Sequence, residues 1–267
     1  MSNAARLADT LPRSKTDMTG RTVVLTGGGA GIGRAIALTL AGHGAKVAIL
    51  DRIPERIDAV ISEVEALDAS ALGIAVDVAD EQAVEAAITQ VAGTWGKLDV
   101  LVNCAGIYDE LRPAATTSTE LWNRVIGVNL TGAFIMTRAV LPHMVRSGSG
   151  VIVNIASEAG FRGGCGGAAY TASKHGLIGL TRSTAWGYRA DGIRCNALCP
   201  GGIGDTQILS ESGFDETYAE RCFPIMSLAG EPGVPQSIAD GILFLASDLS
   251  AFVNGVVLPV DGGWNAG

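Results

Sequence analysis

In the stretch AAYTASKHG, Ala168 to Gly176, a phenol and an ammonium stand four residues apart. On a helix, residues i and i+4 share a face, so the head groups of Tyr170 and Lys174 can reach one point. That pairing suits proton exchange, because a nearby positive charge favours a phenolate. Alone, a YxxxK is ordinarily a solvated lysine beside a half-buried tyrosine. What raises it above that are Asn129 in VIGVNLTG, Ser157 in NIASEAG and the glycine-rich TGGGAGIG of Thr26 to Gly33.

TGGGAGIG follows TVVLT (22–26), which reads as a strand, and opens a helix expected from about Gly31 to His43. Glycines at such a junction let the backbone turn sharply and approach a pyrophosphate at the positive end of the helix. The pattern is TGxxxGxG, with Gly27, Gly31 and Gly33 fixed and Ile32 between the last two. Among 36 glycines a glycine-rich turn says little by itself. Its place between a first strand and a first helix is what points to a dinucleotide.

Asp51 closes the second strand, KVAIL (46–50). A carboxylate there hydrogen-bonds the adenosine ribose and repels a 2′-phosphate. Ala30, not a cation, precedes Gly31, so the expected cofactor is NAD(H), not NADP(H), although Arg52 follows the acid. Asp77 and Val78, after the third strand, are expected adenine contacts. Taken singly, either acid also suits a turn at a strand end.

These residues need a scaffold that sets them at strand ends. The runs ALGIAV (71–76), LDVLV (98–102), GVIVNI (150–155), GIRCNAL (192–198) and GVVLPV (255–260) continue the strand series. Helical stretches lie between them, one at 55–67. Such alternation predicts βαβ units and right-handed crossovers. The fold class is α/β, a doubly wound, Rossmann-type parallel sheet with helices on both faces. One domain is expected over 21–267, after a flexible tail at 1–20.

LTGAFIMTRAVLPHMV (130–145) and HGLIGLTRSTAWGY (175–188) are apolar or small almost all round, as in helices buried on more than one side. The sheet covers one side, and a second subunit is expected on the other. A homo-oligomer follows, dimer or tetramer; a thick covering loop is the alternative. Pro142 is expected to end or kink the first of these helices.

A chain of 267 residues with 48% hydrophobic content and mean hydropathy +0.32 can bury a full core. A net charge of −8 and a pI near 4.9 argue against a nucleic-acid partner. No apolar run approaches the length that spans a bilayer, so no membrane partner is expected. The opening MSNAARLADTLPRSKTDMTG interrupts its apolar residues with Arg6, Asp9 and Arg13, unlike a signal peptide. A cytoplasmic protein is the expectation. Five cysteines make an odd count, and a disulfide framework is not expected. Cys195 and Cys199 would share one face of a strand, without the further ligands a metal wants. They are expected to be buried and reduced.

NCAG, Asn103 to Gly106, closes the fourth strand, at the end where a doubly wound sheet opens its ligand crevice. Together with Asn129, Ser157, the YxxxK pair, CPGG (199–202) and VDGGW (260–264), it resembles the short-chain dehydrogenase/reductase family. The resemblance is to the single-domain branch and runs from about Thr19 to Trp264. The extended branch usually shows TGxxGxxG instead.

This resemblance implies further cofactor contacts at Asn103, Ala105, Gly106, Pro200, Gly201 and Ile203. It gives Tyr170 the proton exchange with the substrate oxygen, and Lys174 the nicotinamide ribose. Ser157 would hold the substrate oxygen, and Asn129 would fix a water linking Lys174 to solvent. A phenol of pKa about 10 needs help at neutral pH. The Lys174 ammonium and the charge of the oxidised nicotinamide would supply it. Singly, these four could be a helix cap, a turn hydroxyl and two surface residues; together they argue for a site.

Two departures stand out. Cys104 replaces the second Asn of the usual NNAG. PGGIGDT replaces PGxIxT, placing Asp205 where the family has a threonine and Thr206 one residue later.

The expected activity is NAD(H)-dependent interconversion of a secondary alcohol and a ketone. One alternative is a 3-oxoacyl-thioester reductase, a group that usually carries a basic residue near the glycine turn; Ala30 and Asp51 speak against it. Another is a non-catalytic cofactor-binding scaffold, which would be expected to lack part of the Asn, Ser, Tyr and Lys set. Substrate choice is expected from the loop 204–235, where Phe214, Tyr218, Phe223 and Met226 form a lid or a small satellite core around a helix near Asp215 to Arg221. Tyr108, Glu158, Phe161, Arg162 and Cys165 are expected nearby. Their mixed character suits a cyclic alcohol no worse than a polyol or sugar.

Overall fold

Runs of Val, Ile and Leu bounded by turn residues become strands, fully buried in the middle of the sheet and partly buried at its two edges. They are β1 (Thr22–Thr26), β2 (Lys46–Asp51), β3 (Ala71–Ala75), β4 (Val100–Asn103), β5 (Gly150–Ile155), β6 (Ile193–Pro200) and β7 (Val257–Val260). The structure, a computed structural model, describes residues 14–206 and 214–267. The strands form one sheet in the order β3-β2-β1-β4-β5-β6-β7, with every pairing parallel. The order reverses between β1 and β4, which is where such a sheet opens its crevice. Thr26 pairs with Asn103 and Asn103 with Asn154, so the carboxyl ends of β1, β4 and β5 lie level.

The helices are α1 (Gly31–Gly42), α2 (Pro54–Glu65), α3 (Glu81–Trp95), α4 (Thr119–Ile126), α5 (Ala133–Ser147), α6 (Ala168–Gly187), α7 (Glu216–Met226) and α8 (Pro235–Ala246). Their starts follow capping chemistry. The side chains of Asp80, Ser118 and Asp215 accept from the N–H groups of Ala83, Leu121 and Tyr218. Pro54 and Pro235 open α2 and α8, where a missing N–H costs nothing. Alternate strand residues feed two layers. Val23 and Leu25 pack with Ile36 and Ile242 on one face, Val24 and Leu101 with Ile88 and Met136 on the other.

Three expectations need correction. Residues 14–20 of the expected tail are docked: Met18 is fully buried and its N–H gives to the His43 carbonyl at 2.8 Å. The first thirteen residues lie outside the described ones. Pro142 does not end its helix, since α5 runs on to Ser147 and closes at Gly148 in the left-handed conformation. The apolar run 130–145 belongs to a longer column, 119–147, in which a π-turn over Gly127–Gly132 joins α4 to α5. That column has the length and hydropathy to cross a bilayer, but α5 packs on β4 and β5 and half of the apolar window is buried in the fold. It is a core helix. On the outer faces of α5 and α6, Phe134, Val145 and Trp186 are exposed.

Candidate active site

The glycine turn is shaped by backbone contact. Gly27 has φ of +65°, and a Cβ there would lie 2.8 Å from the Cα of Ala105; one on Gly33 would overlap the Gly27 carbonyl. Bare backbone therefore joins β1 to α1, whose start has no side-chain cap from Ala30. Thr26 ties this turn to NCAG, its hydroxyl accepting the N–H groups of Cys104 and Ala105, both at 3.1 Å. At the end of β2, Asp51 accepts from Gly29 N–H at 3.0 Å and from Ile53 N–H at 3.1 Å. Each carboxylate oxygen keeps a lone pair for a ribose hydroxyl. An uncapped helix start beside an acid at the next strand end fits a nicotinamide dinucleotide.

The other expected cofactor residues fall into two sets. Ala105 and Gly106 continue β4 into the crevice, and Ile32 lies between the glycines at the start of α1. Asp77 is exposed after β3 and accepts from Ala79 N–H at 2.9 Å, whereas Val78 is buried against Gly132. Pro200 ends β6, Gly201 bonds the Val260 carbonyl, and Ile203 pairs with Gly233. The Asn103 side chain turns away into the sheet, giving to Asn154 Oδ1 at 2.8 Å and Thr137 Oγ1 at 3.3 Å. Its amide holds β4 to β5 and does not face the crevice. The extra residue of PGGIGDT is absorbed at Asp205, with φ of +54°. Thr206 is thereby carried to within 3.7 Å of the Cβ direction of Gly31.

Tyr170, Lys174, Ser157 and Asn129 converge. Tyr170 and Lys174 are both buried on α6, and the Lys174 ammonium donates to the Ile155 carbonyl at 2.8 Å. Ser157 follows β5 and caps a short 3-10 turn, accepting from Ala159 N–H at 3.1 Å. Asn129 sits on the π-turn, a feature frequent at functional sites. Its Oδ1 accepts from Ile107 N–H at 2.8 Å, and its Nδ2 gives to the Ile107 carbonyl at 2.9 Å and to Ser173 Oγ at 3.2 Å. Both amide hydrogens are thus spent on protein. A Cβ on Gly106 would find Asn129 Oδ1 at 3.5 Å and Lys174 Nζ at 3.7 Å, so the two meet at the end of NCAG.

Burial sets the electrostatics. It pushes the Tyr170 phenol up to about 12, while the Ser157 hydrogen bond pulls it down and the Asp109 charge pushes it further up. Burial also lowers the Lys174 ammonium to about 8. Ser157 is thus a second group acting on the phenol beside Lys174, to which the sequence pointed. Lys174 gives one hydrogen bond to a backbone carbonyl and stands 5.4 Å from the centroid of the phenol ring.

On the substrate side, Tyr170 belongs to a satellite core with Tyr108, Cys165 and Cys222, on which Tyr218, Met226 and Trp264 pack. The expected helix in the 204–235 loop is α7, capped by Asp215; residues 207–213 lie outside the described ones. Tyr218 and Met226 join the satellite core, while Phe214 and Phe223 are exposed. Glu158, beside Ser157, is buried and anchors Arg162 at 2.8 Å and Asn265 at 3.0 Å. Sequence reasoning missed Asn265 and Asp109. The signal for Asp109 would have been an acid next to NCAG with a glycine just before the YxxxK helix.

The model of the short chain dehydrogenase family matches residues 21–217. A 3beta-hydroxysteroid dehydrogenase 2 of Eggerthella lenta is 39% identical over 256 residues, covering 93% of this chain and 96% of its own. A cis-4-hydroxycyclohexanecarboxylate dehydrogenase of Sinomonas cyclohexanicum is 41% identical over 248 residues, covering 92% and 97%. Among solved structures, a candidate NAD(P)-dependent gluconate 5-dehydrogenase from Beutenbergia cavernae, with NADP bound at low occupancy, gives a TM-score of 0.84. It is 38% identical and covers 95% of this chain and 100% of its own.

Proposed function

The chain belongs to the short-chain dehydrogenase family of oxidoreductases, and from that premise we propose that it interconverts a cyclic secondary alcohol and its ketone with NAD(H), Tyr170 carrying the proton. The observation behind this reading is that Asn129 and the buried Lys174 meet at Gly106, while Tyr170, with Lys174 5.4 Å from its ring centroid, stands in an aromatic cluster. When bound, the nicotinamide supplies the hydride acceptor or donor.

Ser157 holds the substrate oxygen next to the phenol. In the oxidative direction Tyr170 takes the hydroxyl proton as the alcohol becomes a ketone; in the reductive direction it gives that proton to the carbonyl oxygen. Lys174, fixed by the Ile155 carbonyl, presents its remaining N–H groups to the cofactor ribose and its charge to the phenolate. Asn129 braces Ile107 and Ser173, holding the wall of the crevice against α6.

A cyclic substrate suits the rings of Tyr108 and Trp264 and the side chain of Met226 around Tyr170. Two relatives named for a hydroxysteroid and a hydroxycyclohexane support the same class. Asp51 favours NAD(H), although one structural neighbour holds NADP. The exposed Phe134, Val145 and Trp186 favour a homo-oligomer.

The test is a panel of hydroxysteroids, substituted cyclohexanols, polyols and 3-hydroxyacyl thioesters, each read by reduced-cofactor absorbance with NAD⁺ and with NADP⁺. Cyclic alcohols with NAD⁺ are expected to give the highest kcat/KM. Turnover confined to polyols or acyl thioesters, or dependent on NADP⁺, defeats the corresponding part of the proposal.

A further inference from the structure

Tyr170 stands in the first turn of α6, where backbone N–H groups lack intrahelical partners. The cap residue, Gly167, has no side chain to offer them. They are met from another part of the chain. The Asp109 carboxylate accepts Gly167 N–H at 3.0 Å on one oxygen and Tyr170 N–H at 2.8 Å on the other. The Arg112 carbonyl takes Ala168 N–H at 2.9 Å. Asp109 is 0% exposed, and a Cβ on Gly167 would lie 2.5 Å from its Oδ2, so a glycine is required for this approach.

The same segment touches the site twice more. Tyr108 sets its ring edge-on to that of Tyr170, with centroids 4.9 Å apart. Ile107 is gripped through both its N–H and its carbonyl by Asn129. Residues 107 to 112 thus bridge the π-turn and the start of α6.

We propose that Asp109 is a positioning residue for the proton transfer: its buried carboxylate caps α6 from across the chain, fixes the backbone of Tyr170 and sets a carboxylate at the start of the helix that carries the phenol. This rests on the reading of Tyr170 as the acid/base. Burial raises the phenol most; the Asp109 charge adds to that and works against Ser157. Burial raises the carboxyl of Asp109, and the N–H groups of Tyr170 and Gly167 draw it back. The titratable groups around it are Tyr108 of its own segment, Tyr170 of α6, and Tyr218 and Cys222 of α7. Arg112 nearby is paired with Glu110 at 2.9 Å. The N–H groups at the start of α6 therefore offset part of the effect of burial on the carboxylate.

Asp109→Asn keeps the size, removes the charge and gives up one acceptor. NADH binding is expected to persist, with kcat lowered roughly 10- to 100-fold, the cost of misplacing a reacting group by up to about 1 Å. The limb of the pH profile that belongs to Tyr170 should move to lower pH, since a neighbouring negative charge raises a phenol's pKa. Asp109→Glu keeps the charge but overreaches, so its kcat should fall without that move. A purely structural role would lower stability and activity and leave the limb in place in both variants. If Asp109→Asn fails to bind NADH, Asp109→Glu decides: parental kcat, or a kcat that falls only together with the thermal midpoint, overturns the proposal, and a reduced kcat at parental thermal midpoint and parental NADH binding supports it. Parental kcat and profile in Asp109→Asn, beside an inactive Tyr170→Phe, defeat the Asp109 role alone. Turnover retained in Tyr170→Phe defeats the acid/base reading beneath it.

Discussion

The Lys174 ammonium donates to the Ile155 carbonyl at 2.8 Å and stands 5.4 Å from the centroid of the Tyr170 ring. The cation is held by backbone, not by the phenol. Lys174 can therefore serve a bound cofactor without releasing Tyr170, and the two residues should separate on substitution.

Tyr170→Phe removes the proton and little else, because the ring keeps its edge contact with Tyr108. NADH binding, followed by fluorescence, should match the parent, while turnover drops by about 10²- to 10⁴-fold, the usual range for a general acid/base. Parental turnover would show that the proton travels by another group.

Asp51→Ala removes the anion expected to repel a 2′-phosphate, together with two acceptors of the turn, for Gly29 and Ile53. The KM for NADH should rise and the preference for NADH over NADPH should shrink by about tenfold, equivalent to ~1.4 kcal/mol. Steady-state kinetics with both cofactors measures this. An unchanged ratio of the two kcat/KM values would take the discriminating role away from Asp51.

The residues that chemistry demands by type were legible in the sequence alone. Gly27, Gly31 and Gly33, Asp51, Ser157 and the Tyr170–Lys174 pair sit at strand ends or on one helix face, and local periodicity is enough to put them there. Contacts between distant segments were not. Asp109 looks like a loop acid until Gly167 and Tyr170 are folded onto it. Met18 is one apolar residue in a polar stretch, and only the docking of that stretch on His43 shows it as core. The π-turn at Asn129 adds no break to the apolar pattern, so 130–145 read as a plain helix. Asn103 stands at the right strand end, yet its partner Asn154 across the sheet takes the side chain inward.

Alkaline pH should destabilise the fold. Burial raises Cys195 and Cys199 from 9.0 to about 12, Cys165 to about 11, and Tyr170 from 10.0 to about 12. Groups with raised folded pKa bind more protons folded than unfolded above their ordinary values. Their stabilisation is complete below pH 9 and is lost as pH climbs toward 12. Lys174, lowered from 10.5 to about 8, works the other way between those values, but it is one group against four. Thermal unfolding should show a midpoint that falls steadily from pH 8.5 to pH 10.5. A midpoint that rises over that interval would mean the thiols are more exposed than their packing indicates.

Glu158 ties the residue after Ser157 to the far end of the chain. Its carboxylate takes Arg162 Nη2 at 2.8 Å and Asn265 Nδ2 at 3.0 Å, and it is 1% exposed. Arg162 in turn bonds the Trp264 carbonyl at 2.9 Å and lies over the Trp264 ring, whose indole N–H reaches the Ile225 carbonyl at 3.0 Å on α7. Glu158→Ala strands a guanidinium and an amide together. Removing one member of a buried pair costs about 3–5 kcal/mol, and roughly 2–3 kcal/mol is expected here because Arg162 keeps part of its side chain in water. The residue next to Ser157 loses its tie to the C-terminal segment at the same stroke, so kcat should fall at temperatures where the variant is still folded. Glu158→Gln, which can still accept from Asn265 but has lost its charge, should sit between the two. Thermal unfolding and steady-state kinetics on both variants test this. Parental stability in Glu158→Ala would show that the C-terminal segment holds itself in place without the carboxylate.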